Sequence, residues 1–167
     1  MTHTNVRTRW VAQARLDSPL GPLTVAATAQ GLGGLWFDGQ RHHPGPLDAP
    51  LDPQQRFIVQ ARHELACYWQ RQLPNGFQVP LDAAGTPFQQ AVWRVLCTIP
   101  AGQTCSYGAV AAAVGRPNAV RAAGAAIGRN PLSIIVPCHR VLGRQGSLTG
   151  YAGGLERKQS LLALEAG

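Results

Sequence analysis

The chain has 167 residues, enough for one core of ordinary size or two small packed lobes and too few for a large assembly. Apolar residues make up 45% of it and charged residues 14%, with no repeats, which excludes a disordered or low-complexity protein. The net charge of +7 is uneven: residues 1–83 hold seven Arg against six acids, whereas residues 84–167 hold eight Arg or Lys against two Glu, so the second half carries a basic surface suited to a polyanion.

Met1 to Trp10 is polar rather than signal-like, and no apolar run approaches the roughly 20 residues that cross a bilayer; a cytoplasmic protein without membrane contact is expected. Polar and apolar positions then alternate from Trp10 to Leu16, break at Ser18-Pro19-Leu20-Gly21-Pro22 and resume at Leu23-Thr24-Val25, which predicts an antiparallel hairpin. A third strand is expected over Leu32 to Phe37. The Pro-rich stretch from Arg41 to Pro53 reads as a loop, and Phe57, Ala61, Leu65 and Tyr68 have helical spacing within a helix from Gln54 to about Gln72. Residues 1–83 are thus expected to form a small α/β lobe of antiparallel sheet plus helix.

Residues 84–167 have a different texture of short helices separated by Gly and Pro. Thr86-Pro87 offers an N-cap followed by proline at the first helical position, and Phe88, Val92, Trp93 and Leu96 mark an apolar face. Ser106 caps a helix from Tyr107 to Val114, which ends at Gly115-Arg116-Pro117, and a further helix runs from about Asn118 to Gly128. Two short helices joined by a tight turn in a basic half form a helix-turn-helix candidate within a mainly α domain; an ordinary helical hairpin is the plainer alternative. At about 100° per residue, Val120, Ala123 and Ile127 share one side of the second helix, and Arg121, Gly124, Ala125 and Gly128 share the other. Helices that read base edges in the major groove project long polar side chains. This bare face with one arginine suits close approach to the minor groove, with Arg121 available to enter the base stack.

Ile134-Ile135-Val136, expected as a buried strand, leads into Pro137-Cys138-His139-Arg140-Val141. A buried cysteine is most often a small hydrophobe, but here an imidazole follows it. Consecutive residues of an extended segment face opposite ways, so a water-bridged link between Cys138 and His139 is expected rather than a direct pair. A carboxylate that fixes the imidazole tautomer would strengthen it as a base. The basic half offers Glu156 and Glu165, both assigned to the last helix, Leu155 to Leu164. Glu165 shares a side with Leu155, Lys158, Leu161 and Leu162 and is expected inward, as the partner of His139; Glu156, on the polar side near the helix N-terminus, is explained by the helix dipole. The remaining cysteines, Cys67, Cys97 and Cys105, have neither C-x-x-C nor zinc-finger spacing, and His42-His43 lacks acidic or thiol neighbours in sequence, so reduced thiols and no metal are expected.

The strings Pro137-Cys138-His139-Arg140-Val141, Gly128-Arg129-Asn130-Pro131 and Gly150-Tyr151-Ala152-Gly153-Gly154-Leu155, together with Phe88-Gln89-Gln90-Ala91-Val92-Trp93 and Ser106-Tyr107-Gly108, resemble the methylated-DNA–protein-cysteine methyltransferases, or O6-alkylguanine-DNA alkyltransferases, over essentially all of residues 84–167. The resemblance implies a ribonuclease-H-like N-terminal domain, here residues 1–83, before a DNA-binding and alkyl-transfer domain. It implies repair by direct reversal: an alkylated guanine in duplex DNA is flipped from the minor groove, and its alkyl group passes once and irreversibly to Cys138. His139 and Glu165 would activate the thiol through water, Tyr107 would help rotate the phosphate and protonate the departing guanine, and Asn130 would hold the turn before the active-site strand. Arg121 would fill the gap in the stack; Tyr107, Ala122, Gly124 and Ala125 would lie on DNA; and Val141, Tyr151 and Ala152 would line the base pocket. Where the family often has serine, this chain has Ala152, which leaves hydrogen bonding there to backbone. No cofactor is needed, and the protein is expected to act as a monomer, with clustering on DNA and activity on O4-alkylthymine left open. The competing readings are a thiol hydrolase built on Cys138 and His139 and a binding-only module; adjacent Cys and His disfavour the first, and the presence of Cys138 disfavours the second.

Overall fold

In the computed structural model, which describes residues 9–167, the alternating stretches form three strands, β1 (Ala12–Leu16), β2 (Leu23–Ala27) and β3 (Leu32–Phe37). They make one antiparallel sheet with β2 in the centre. Most of the polar N-terminal stretch, residues 1–8, lies outside the described residues. Pairing of Leu16 with Leu23 and of Leu23 with Phe37 sets the register, so Ala12, Ala14, Leu16, Val25 and Leu35 fall on the same face and are buried. Helix α1 (Arg56–Trp69) packs on β1 and β2 and adds Phe57, Ile58, Ala61, Leu65 and Tyr68 to the same core. Burial of Phe57, Ile58 and Leu65 contributes about 1.5–3 kcal/mol each. The expected hairpin, third strand and helix are all present.

The second half is helical, as its spacing predicts. Thr86 accepts from the Gln89 backbone N–H while the Gln89 side chain accepts from the Thr86 N–H, a reciprocal cap that starts α2 (Pro87–Leu96) with proline at its first position. Val92, Trp93 and Leu96 are buried. The Trp93 indole donates a 2.9 Å hydrogen bond to the Ala126 carbonyl and so fixes α2 against α4 (Val120–Gly128). Ser106 caps α3 (Tyr107–Ala113), and Gly115, in the left-handed region at φ 77°, turns the chain between α3 and α4. These three helices pack on one another, and α5 (Leu155–Ala166) closes the chain. No helix among the described residues is long and apolar enough to cross a membrane.

Three expectations need correction. Ile134-Ile135-Val136 is buried but is not a strand: Val136 N–H bonds the Leu132 carbonyl, Ile135 N–H bonds that of Ser133, and Ile134 itself lies at φ 72°. The strand-like pairing falls just upstream, where the Leu35 N–H of edge strand β3 donates to the Pro131 carbonyl (2.8 Å) and the Ser133 N–H donates to that of Leu35 (2.9 Å). Val120 is 41% exposed because α4 begins there, leaving only Ala123, Ala126 and Ile127 to pack inward. Leu155 is 48% exposed for the same reason at the start of α5, whose buried side is Lys158 and Leu161.

Candidate active site

Two anchors place Cys138. The first is the edge of β3, which captures residues 131–133 by the paired backbone bonds just described. The second is Asn130, buried at the end of α4, whose side-chain oxygen accepts from the Leu132 N–H and whose amide nitrogen donates to the Val136 carbonyl at 2.8 Å and to the Cys138 sulfur at 3.2 Å. Asn130 therefore does more than hold a turn, because it touches the thiol. The left-handed Ile134, a conformation that strains a β-branched residue, folds the chain back so that Cys138–Arg140 form a single 3-10 turn instead of the extended segment expected.

Behind this turn lies a dense polar knot. The His139 Nε2–H donates to Glu165 Oε1 at 2.6 Å, and Arg140 donates to both carboxylate oxygens, Nε to Oε2 at 2.9 Å and Nη2 to Oε1 at 2.8 Å. The Tyr68 hydroxyl adds a 2.8 Å bond to Oε1 from the other lobe. The Glu165 side chain is 2% exposed, so it faces inward as expected, while Glu156 is exposed. Burial alone would raise the Glu165 carboxyl, but the hydrogen bonds from His139 and Arg140 and their charges bring it down to about 2.

His139 is fully buried, and that burial, reinforced by the charges of Arg140 and Lys158, holds its pKa below the ordinary value despite Glu165. The resting imidazole is therefore neutral. With Nε2–H committed to a carboxylate that can only accept, Nδ1 is the basic nitrogen, and it has no protein hydrogen-bond partner. Cys138 makes no hydrogen bond to His139, in keeping with an indirect link. Burial raises the Cys138 thiol above its ordinary value, opposed by the Asn130 hydrogen bond and then by the Lys158 charge, so the resting sulfur is protonated.

In front of the sulfur is a cavity of about 340 Å³, within the range of small-molecule sites. Its walls include Cys138, the bare side of α4 at Gly124, Ala125 and Gly128, and Tyr107, Gly150, Tyr151 and Ala152. The parallel pair β4 (Cys105–Ser106) and β5 (Val141–Leu142) carries Tyr107 to this wall, where its hydroxyl donates to the Thr149 carbonyl at 3.0 Å. The Tyr151 phenol is pushed well above its ordinary pKa, first by burial and then by the charge that Cys138 carries when ionised. Its ring needs Gly153, since a Cβ there would come within 2.7 Å of it. Arg121 and Ala122 are exposed on α4 outside the cavity, and Val141 is fully buried and not on its wall. The small-residue side of α4 and the Cys138 thiol thus line one cavity.

Residues 11–83 match the family model described as the 6-O-methylguanine DNA methyltransferase ribonuclease-like domain, and residues 87–167 match its DNA-binding domain. The chain is 47% identical to the methylated-DNA–protein-cysteine methyltransferase of Mycobacterium tuberculosis, over 90% of its own length and 89% of the relative's. It is 42% identical to that of Methanosarcina barkeri over 90% and 94%, respectively. Among solved structures it resembles Mycobacterium tuberculosis OGT in complex with DNA, with a TM-score of 0.85 and 46% identity over 93% of each chain. The chain belongs to the methylated-DNA–protein-cysteine methyltransferase family.

As a member of that family it is a DNA-repair methyltransferase, and its fold is the family's sheet-and-helix lobe followed by a helical DNA-binding domain. Three residues of this methyltransferase's site are given no functional role by the sequence alone. Lys158 is fully buried and donates to the carbonyls of Val141 (2.6 Å), Thr149 (2.8 Å) and Gly150 (3.3 Å), pinning the segment that carries the Tyr107 and Tyr151 contacts. A lysine on the leucine side of a helix is the signal that could have revealed it. Arg140 stands inside the quoted motif, and its link to Glu165 could have been suspected from the charge alone. Tyr68 carries no signal, because its helical spacing explains it as core.

Proposed function

We propose that this methyltransferase transfers the alkyl group of an O6-alkylguanine, flipped out of duplex DNA, to Cys138 in a single displacement. The proton of the thiol passes through a bridging water to His139 Nδ1, and Glu165 stabilises the imidazolium that results. The sulfur attacks the alkyl carbon, the carbon–O6 bond breaks, and its electron pair leaves with the guanine, which takes a proton from the Tyr107 hydroxyl. A thioether has no hydrolytic exit, so each molecule reacts once. No metal or cofactor enters this step, which needs an aligned and desolvated thiolate.

The observation that carries the reading is that Cys138 lines a cavity bounded by the bare side of α4, while the adjacent imidazole is neutral, buried and held by Glu165. Asn130, donating to the sulfur, favours the thiolate over the thiol. Arg121, with Ala122, Gly124 and Ala125 around it, enters the stack and offsets part of the few kcal/mol that base extrusion costs. Tyr151, Ala152 and Val141 form or support the base pocket. In this reading residues 1–83 are the supporting domain and residues 84–167 the domain that binds DNA and reacts, and the protein works as a cytoplasmic monomer on double-stranded DNA.

The test is to incubate the protein with duplex containing O6-methylguanine and weigh its tryptic peptides. The expected result is one methyl per molecule, on the Cys138 peptide. Methyl on another cysteine, or repeated turnover without modification, would overturn the assignment.

A further inference from the structure

The cavity in front of Cys138 is not lined by the second half alone. Arg41 and His42, from the loop that follows β3, stand on its wall together with Arg129 at the end of α4. The loop is fastened there: the Arg41 N–H donates a 2.9 Å bond to the Ala152 carbonyl, and His42 lies in the left-handed region at φ 61°, which turns the chain sharply at the rim. Ala152, which has no side-chain hydroxyl, thus uses its carbonyl to hold the other lobe.

All three side chains are exposed, and among the described residues none of them makes an ion pair or a side-chain hydrogen bond. They act on one another instead, since the His42 imidazole is held below its ordinary pKa by slight desolvation at the cavity wall and then by the charges of Arg129 and Arg41. The two arginines repel one another and keep the imidazole between them neutral at rest, and the arrangement is relieved by an anion placed among them, which also favours protonation of His42. The anion that accompanies a nucleotide entering this cavity is its own phosphodiester.

We infer that Arg41 and His42, with Arg129, form a cationic collar that holds a phosphate flanking the extruded nucleotide, so that the N-terminal lobe takes part directly in binding damaged DNA. The collar rests on the proposed base flipping into this cavity. Its role is positioning: backbone contacts fix the register of the duplex against α4 while the base enters from the other side of the rim. Arginine suits this task, having a planar fork of donors that matches a phosphate.

The test compares wild type with Arg41→Ala, His42→Ala and Arg41→Lys. Binding to duplex containing O6-methylguanine is measured against salt, each protein also carrying Cys138→Ala so that no reaction intervenes. Single-turnover transfer by the Cys138 forms is measured on the same duplex and on free O6-benzylguanine. For Arg41→Ala the log–log salt slope should be smaller by about 0.9, the loss of one phosphate contact. Duplex transfer should fall by about threefold or more beyond any change on the free base, and Arg41→Lys should restore the slope. His42→Ala should weaken duplex binding in the same direction. An unchanged slope and affinity, or an equal loss on duplex and free base, would overturn the collar, the latter making the loop a wall of the base pocket instead. If wild type takes no alkyl group from the duplex at Cys138, the reading of the site itself fails, a result distinct from a reacting wild type whose variants share its salt slope.

Discussion

Tyr68 and Glu165 stand 97 residues apart and meet through a 2.8 Å hydrogen bond, in which the tyrosine hydroxyl donates to the same carboxylate oxygen that accepts from His139. The helix of the first lobe therefore reaches the group that orients the base of the second. A buried hydrogen bond to a charged acceptor contributes about 1.5–3 kcal/mol. Glu165 keeps both Arg140 bonds when it is lost. Tyr68→Phe should accordingly lower the unfolding free energy by about 1.5–3 kcal/mol in denaturant titration, with single-turnover transfer slowed less than about tenfold. A hundredfold slower transfer at unchanged stability would move Tyr68 into the chemistry.

The Glu165 carboxyl is held at about 2, against an ordinary value of 4.5. A depressed carboxyl contributes stability that is fully present above its ordinary value and is lost as pH falls through the folded one, so the window runs from about pH 4.5 down to 2. The gap corresponds to about 3 kcal/mol. Glu165→Gln should remove this acid-dependent loss and be less stable at neutral pH, because Arg140 is left without its charged partner. It should also slow transfer by about 10²–10⁴-fold, the worth of a positioned base whose charged form is no longer stabilised. Urea titrations at pH 7 and at pH 3 check the first part, and the pH profile of thiol alkylation the second. A variant with wild-type stability at both pH values would mean that the carboxylate does not anchor the knot.

Lys158 supplies both a scaffold and a charge. Its ammonium lowers the pKa of a thiol that burial has raised, and it is itself lowered by burial. Lys158→Met removes the charge and leaves the carbonyls of Val141, Thr149 and Gly150 without this donor. The thiol then climbs further, and at a fixed neutral pH the thiolate fraction falls. Alkylation of Cys138 by iodoacetamide should slow, and its pH profile should move to higher pH. An unchanged profile with reduced stability would leave Lys158 a structural role only.

Much of this arrangement is legible in the sequence because it is local. The alternation of β1 to β3, the Thr86 and Ser106 caps and the small-residue side of α4 all follow from period and cap chemistry, and the inward Glu165 follows from its spacing from Glu156. Ile134–Val136 misleads because a β-branched run carries the composition of a strand, while the surrounding structure, through Asn130 and the edge of β3, forces a turn there. Val120 and Leu155 mislead because a helical projection assumes neighbours along the whole helix, and both residues sit in a first turn that nothing covers. Tyr68 and Arg41 meet their partners only across the two lobes, a distance that no period encodes.

Arg121 stands exposed on α4, outside the cavity that Gly124, Ala125, Ile127 and Gly128 of the same helix line. If its role is to occupy the stack that a flipped base leaves, its contribution exists only where there is a stack. Arg121→Ala should weaken binding to alkylated duplex and slow duplex repair by more than it slows reaction with a free O6-alkylguanine base. Extrusion costs a few kcal/mol, and each 1.4 kcal/mol no longer offset is worth about tenfold, so a duplex-specific loss of ten- to hundredfold is expected on that scale. The side chain makes no ion pair among the described residues, so thermal stability should not change. Parallel single-turnover measurements on duplex and free base decide the matter, since equal losses on both substrates would show that Arg121 acts on the cavity and not on the stack.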